Sequence, residues 1–297
     1  MSETKVKTPI IESIMQRSKY TKDDESYSVV KQGVAEFISN IITTNNAEEK
    51  INKLALDEMI AHIDTLLSAQ MDEILHNKSF QELESTWRGI RFLVERTNFN
   101  ENVKIDLLDA TKEEILDDFE NNLDITQSTL YKQIYSAEYG QFGGEPVGAI
   151  VADYELDKSN QDMTFLNKMS SIAAMSHSPL LTSLSSKFFG LDNFGELENI
   201  KDLKSLLEGP QYTRWRTFRE NEDAKYTGCM VNRFLTRSPY IPEDNPIKSF
   251  NYRESVDKHD DMLWGNGAYA FATRLTESFA DYRLSLIHIS EPTRLQL

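Results

Sequence analysis

The segment Pro146-Val-Gly-Ala-Ile-Val-Ala-Asp153 constrains the fold most, because it runs almost without a polar side chain and is set off upstream by Gly143-Gly144. A run of that kind suits a strand covered on both faces, as in a parallel sheet, and parallel neighbours need a crossover long enough to hold a helix. The following residues supply one: Phe165, Leu166, Met169, Ile172, Ala173 and Met175 recur at helical spacing, and Pro179-Leu-Leu-Thr-Ser183 then reads as a further strand. Strand, helix and strand in that order predict an α/β region. Gly, Pro and Asn punctuate the chain from Gly190 to Asn245, which predicts loops and short helices there.

Upstream the period is helical. Val30, Val34, Phe37, Ile38 and Ile41 mark one helix, and Ile51, Leu54, Ile60, Ile63, Leu67, Met71 and Ile74 a longer one. Ser79-Phe-Gln-Glu82 reads as a capping box opening a third, with Leu83, Trp87, Ile90 and Val94 inward. At Val103-Lys-Ile-Asp-Leu107 the period changes to two, predicting a half-buried strand, and Thr111-Lys-Glu-Glu114 is another capping box. Ahead of Tyr27, Thr8-Pro9 is a helix-start signature, followed by Ile10, Ile11, Ile14 and Met15 on one face and an aperiodic polar stretch, Arg17 to Ser26. Periodicity leaves two readings open, an amphipathic recognition peptide on a tether or a helix packed on the body. The predicted organisation is an arm over residues 1–26, a helical region over 27–100 and a mixed α/β (or α+β) domain over 101–283.

The charge balance of 32 Lys+Arg against 48 Asp+Glu, a net −16, opposes binding to nucleic-acid backbones and to anionic lipid heads. Cys229 is the single cysteine, which excludes an intramolecular disulfide and paired-cysteine zinc or redox sites and fits a reducing cytoplasm. No apolar run approaches the ~18 residues of a membrane helix.

The sequence holds few chemical signatures. Its histidines, His62, His76, His177, His259 and His288, are scattered without metal-ligand spacing, and Glu58 with His62 one helical turn away reads as a surface contact. Gly265-Asn-Gly267-Ala-Tyr-Ala270 matches the letters of a dinucleotide-binding turn, yet His259-Asp-Asp-Met-Leu-Trp264 before it is no buried strand. Neither a phosphate-binding P-loop nor a nucleophile elbow is present. Arg214, Arg216 and Arg219, within Tyr212-Thr-Arg-Trp-Arg-Thr-Phe-Arg-Glu220, form a basic, aromatic cluster in an acidic chain. It reads either as a contact for an acidic partner surface or as an internal clamp with the Glu220-Asn-Glu-Asp223 run.

Five stretches, in order, carry a resemblance: Ser79–Arg91, Gly144–Tyr154, Phe188-Phe-Gly-Leu-Asp192, Tyr212–Glu220 and Leu263-Trp-Gly-Asn-Gly-Ala-Tyr-Ala-Phe-Ala272. Together they resemble the large subunit of the bacterial type VI secretion contractile sheath (TssC/VipB type), over residues 10–283. The resemblance implies a non-enzymatic structural protein without cofactor or metal that pairs with a small sheath subunit. The pairs stack with neighbouring sheath subunits around an inner tube protein and contract to expel it. It also implies that Ile10, Ile11, Ile14 and Met15 belong to a helix gripped by a AAA+ disassembly ATPase, and that the Gly-Asn-Gly segment and the arginine cluster serve packing and subunit contact. Family members extend further toward the C-terminus, so the sheath domain is expected to be incomplete here. Residues 284–297, with Leu284-Ser-Leu-Ile-His-Ile-Ser-Glu-Pro-Thr-Arg294, look like a translated library adapter.

The reading is thus a structural sheath subunit of the bacterial cytoplasm. Two rivals belong to other classes: a cytosolic nucleotide-dependent enzyme using Gly265–Ala270, and a free-standing adaptor for a AAA+ ATPase.

Overall fold

The computed structural model describes residues 7–18, 20, 22, 24, 26–44, 53–139, 142–244 and 250–283, with side chains except at 7–10, 40–44 and 53–56. The sequence-predicted adapter tail lies outside the described residues. The chain divides into two compact units, one comprising residues up to Met71 together with Pro242–Arg253, the other Asp72–Ile241 with the chain from Glu254 onward.

In the first unit, α1 (Lys7–Arg17) packs on α2 (Tyr27–Thr44). The helix begins at Lys7, so Thr8 and Pro9 fall in its first turn and not at its edge. Val30, Val34, Phe37 and Ile38 of α2 are half-buried, in keeping with the predicted face. α3 (Lys53–Leu75) runs from this unit into the second and carries Glu58 and His62 exposed on its surface.

The second unit is layered around a parallel sheet of β1 (Ile150–Leu156), β2 (Leu180–Leu184) and β3 (Thr227–Met230), in that spatial order. The central strand β2 is buried throughout and its alternate side chains feed two cores. Leu180 and Leu184 join Phe165, Leu166, Met169 and Ile172 of α8 (Asn160–Ser176) and Ile115, Leu116 and Phe119 of α5 (Lys112–Asn121). Leu181 points the other way, to Leu93 of α4 (Lys78–Arg96) and to Ala268, Tyr269 and Ala272 of α11 (Gly267–Tyr282). Helices on both faces explain the uninterrupted apolar strand sequences.

Between α5 and β1 the chain forms α6 (Thr129–Tyr131), a π-helical turn over Lys132–Ser136 and α7 (Ala137–Tyr139), along which Tyr131, Tyr135 and Tyr139 stack. Between β2 and β3 lie α9 (Leu203–Leu207) and α10 (Thr213–Glu220), the short helices predicted for that stretch. A two-stranded antiparallel ribbon, β4 (Phe234–Leu235) with β5 (Trp264–Gly265), precedes α11.

Three local expectations need correction. α4 is capped by Asn77, whose side chain accepts the Ser79 amide at 3.1 Å, so the helix starts before the Ser79–Glu82 box. Thr111, by contrast, forms the predicted capping box with Glu114. Val103–Leu107 keeps the alternation of a strand, with Val103 and Ile105 half-buried and Lys104 and Asp106 exposed, but among the described residues no neighbouring strand pairs with it. Most telling is α4. Gly89 and Leu93 are its buried residues, while Leu83 at 57 % and Trp87 at 60 % exposure face outward with Phe80 and Val94.

Candidate functional site

The Gly-Asn-Gly segment sits where β1, β2, α4 and α11 converge. Asn266 caps α11: its side-chain oxygen accepts the Ala268 amide at 2.8 Å and the Ser183 hydroxyl at 2.5 Å. Its amide nitrogen donates to Asp153 Oδ1 at 3.0 Å, while Thr86 and Tyr269 donate to Asp153 Oδ2 at 2.6 and 3.0 Å. Burial, and then the adjacent Asp153 charge, push the Tyr269 phenol far above its ordinary value, so it stays a donor. One carboxylate at the end of the apolar run thereby ties a strand to two helices.

The same geometry explains the glycines. A Cβ on Gly267 would run into the Asn232 carbonyl oxygen, one on Gly265 into Thr236, and one on Gly89 into the Tyr269 ring. A dinucleotide turn keeps its glycines so that a pyrophosphate can approach the helix N-terminus. Here the Asn232 backbone and the Thr236 and Phe234 side chains fill that space, and Asn266 occupies the helix end. A cleft of about 490 Å³, lined by Phe189, Leu191, Ile200, Leu206 and Gln211 among others, lies apart from this segment.

A second network joins α4 to the long connection between β4 and β5. Arg237 makes a bidentate pair with Glu254, Nη1 to Oε2 at 2.6 Å and Nη2 to Oε1 at 3.1 Å, and its Nε donates to Glu84 at 3.0 Å. Arg88 bonds Glu84 at 2.7 Å and Tyr240 at 3.2 Å, and the Tyr240 amide donates to Glu254 at 2.9 Å. His76 stands 3.4 Å from Glu254. The Glu254 side chain is 1 % exposed. Burial alone would raise its pKa, yet the Arg237 guanidinium, the Tyr240 amide and His76 together hold it below the ordinary carboxylate value.

The predicted arginine cluster lies on α10 and faces solvent at all three positions. Arg214 bonds Asn160 and Arg216 bonds Thr213 at 3.2 Å, and among the described residues none of Arg214, Arg216 and Arg219 forms an ion pair with the Glu220–Asp223 run. The internal-clamp reading is therefore not the arrangement found. The Asp223 carboxylate accepts the Ser171 hydroxyl at 2.9 Å, and Asn221 caps the turn after α10 by accepting the Asp223 amide at 3.2 Å.

On α1, Ile11 and Met15 are buried, Met15 to 2 % exposure, while Ile14 is 41 % exposed. The Ile10 side chain lies outside the described residues. The remaining expected reactive groups are structural in placement. His177 closes α8 in a left-handed conformation, His259 stacks on Trp264 with ring centroids 4.4 Å apart, and burial pushes the Cys229 thiol up to about 12. Among the described residues no three His, Cys, Asp or Glu side chains converge to hold a metal ion, and no helix is long and apolar enough to cross a membrane.

The Asp153 and Glu254 networks cross-link the chain's own elements, and Phe80, Leu83, Trp87 and Val94 of α4 are exposed. The VipB (EvpB) tail sheath N-terminal domain family matches residues 57–291, and the chain is 38 % identical over 232 residues to the type VI secretion system sheath protein TssC1 of Pseudomonas aeruginosa. That alignment covers 77 % of this chain and 47 % of the relative, so the chain spans about half the relative's length. The chain belongs to the VipB tail sheath family.

Proposed function

We propose that the chain is a structural subunit of a type VI secretion contractile sheath, working by assembly and not by catalysis, in the bacterial cytoplasm. Its partners in this reading are a small sheath subunit, neighbouring sheath subunits, an inner tube protein and a AAA+ disassembly ATPase. Family membership over residues 57–291 is the observation that carries it. The filled Gly265–Ala270 turn supports the packing role over the nucleotide-dependent alternative.

Two surfaces receive roles. Arg216 and Arg219, three residues apart on α10 and without a carboxylate partner among the described residues, suit an acidic surface on a neighbouring subunit. Ile10, Ile11, Ile14 and Met15 are assigned to ATPase recognition; α1 packs on α2, and of these residues Ile11 and Met15 are buried while Ile14 is exposed. Co-production with the small sheath subunit, followed by size-exclusion chromatography with light scattering, tests the central role. A complex with the mass of one chain of each is expected. Elution of the two as separate monomers at micromolar concentration would contradict it.

A further inference from the structure

The chain contains a single Asn-Gly dipeptide, Asn266-Gly267, and two unrelated constraints hold it in the sequence. Position 267 must be glycine, because a Cβ there would run into the Asn232 carbonyl oxygen. Position 266 needs a side chain that both accepts and donates. Its oxygen takes the Ala268 amide and the Ser183 hydroxyl, and its nitrogen donates to Asp153 Oδ1 at 3.0 Å. Aspartate would cap α11 equally well, but it has no hydrogen to give the Asp153 carboxylate.

The same dipeptide is the one in which an amide side chain is most open to attack by the backbone. With no Cβ on the following residue, the glycine nitrogen can approach the asparagine Cγ. An N–C bond then forms, the side-chain nitrogen leaves as ammonia, and a five-membered imide results. Water opens that ring at either carbonyl to give aspartate or isoaspartate, with no oxidant or reductant involved.

The fold blocks this reaction in three ways. Ring closure requires the Gly267 nitrogen to eclipse Asn266 Cβ, which demands a strongly negative ψ, and Asn266 stands at ψ 125°. Turning ψ would lift Gly267 from the Asn232 carbonyl and undo the first turn of α11. The three hydrogen bonds fix the side-chain amide at both its oxygen and its nitrogen. Asn266 is also only 7 % exposed, so the water that would open the ring is withheld.

We infer that Asn266 is a conformation-gated modification site, inert while α11 is docked and converted through the imide by water when the start of that helix opens. The product does not fit back. An aspartate at 266 would set its carboxylate against that of Asp153 where an N–H···O bond stood, and isoaspartate would add a methylene to the backbone at the cap. Conversion thereby marks a chain that has opened and keeps it from regaining the Asp153 network.

Tryptic digestion makes the site readable, because the peptide from His259 to Arg274 contains one asparagine and no glutamine. The full chain is held at pH 8, either folded in buffer or unfolded in guanidinium chloride, and that peptide is followed by mass spectrometry for conversion of amide to acid. The folded chain should convert at least about tenfold more slowly, since only its opened fraction reacts. The Ser183→Ala variant frees one side of the Asn266 oxygen and should convert faster than the parent while still folded by circular dichroism. The Asn266→Asp variant, which carries the product, should melt below the parent. Equal rates in the folded and unfolded chain would overturn the gate, and so would a folded Ser183→Ala variant that converts no faster than the parent. An Asn266→Asp variant with the parent's melting temperature would overturn the claim that the converted chain cannot regain the Asp153 network.

Discussion

Replacing Glu254 by Gln probes the network that fastens the β4–β5 connection to α4. The substitution keeps the shape of the side chain and removes its charge. Glu254 accepts both guanidinium nitrogens of Arg237 and the Tyr240 amide, at 2.6, 3.1 and 2.9 Å, with its side chain almost wholly out of water. Glutamine retains one acceptor oxygen and turns an amide toward the positions where donors stand, leaving a buried guanidinium only partly compensated by Glu84. Breaking a buried pair from one side costs about 3–5 kcal/mol. At roughly 2–4 °C per kcal/mol for a body of this size, the melting temperature should fall by about 6–20 °C. The pH dependence has a definite sign. A carboxyl whose folded pKa is depressed contributes stability above its unfolded value near 4.3 and loses it as pH falls through the folded value. The gap between parent and variant should therefore be full at pH 7 and shrink on acidification below about pH 4. Differential scanning calorimetry at pH 7 and at pH 3.5 measures both quantities. A fall of less than 2 °C at neutral pH, or a gap that widens on acidification, would refute the assignment of a stabilising charge pair.

Three further substitutions address other parts of the account. Gly267→Ala should lower stability by about 1–3 kcal/mol in thermal melts, because its methyl meets the Asn232 carbonyl and a backbone oxygen cannot rotate aside; a neutral result would show that the close approach is relaxed in solution. Arg216→Glu with Arg219→Glu should leave melting unchanged within a degree or two, since neither side chain has an ion-pair partner among the described residues, and should weaken subunit association most at low salt in light scattering. Met15→Asp should release α1 from α2, detected as faster proteolysis in residues 7–17, because it buries an unpaired charge, whereas Ile14→Asp should not. Ile14→Asp should instead weaken ATPase binding of the arm at least tenfold, a loss of only ~1.4 kcal/mol, measured by fluorescence polarisation.

How legible the fold was depended on whether the signal was local. β1, α8 and β2 could be read because each is a run or a period within one stretch of chain, and the Thr111 cap because its partner Glu114 is three residues away. β3 was not, since Thr227-Gly-Cys-Met230 is short and holds a glycine, and only its pairing with β2 makes it a strand. Val103–Leu107 failed for the opposite reason: alternation reports two unlike faces, not a neighbour to bond. The Asp153 and Glu254 networks join residues far apart in the chain, such as Thr86 and Tyr269 on Asp153, or Glu84 and Glu254 bridged by Arg237, and no spacing rule reaches that far. For α4 the stripe was read correctly and Ile90 does pack on the Leu93, Ala268 and Tyr269 core, but Leu83, Trp87 and Val94 face outward. An apolar stripe states that a surface must be covered, and within one chain the nearest cover is assumed to be the chain's own core.

The proposed role in sheath assembly is the central claim, and sedimentation velocity of the chain alone and mixed with the proposed small sheath subunit tests it most directly. The proposal predicts a faster-sedimenting species that contains both chains at micromolar concentration and is absent from either chain alone. Two boundaries that sediment independently at every mixing ratio would contradict it.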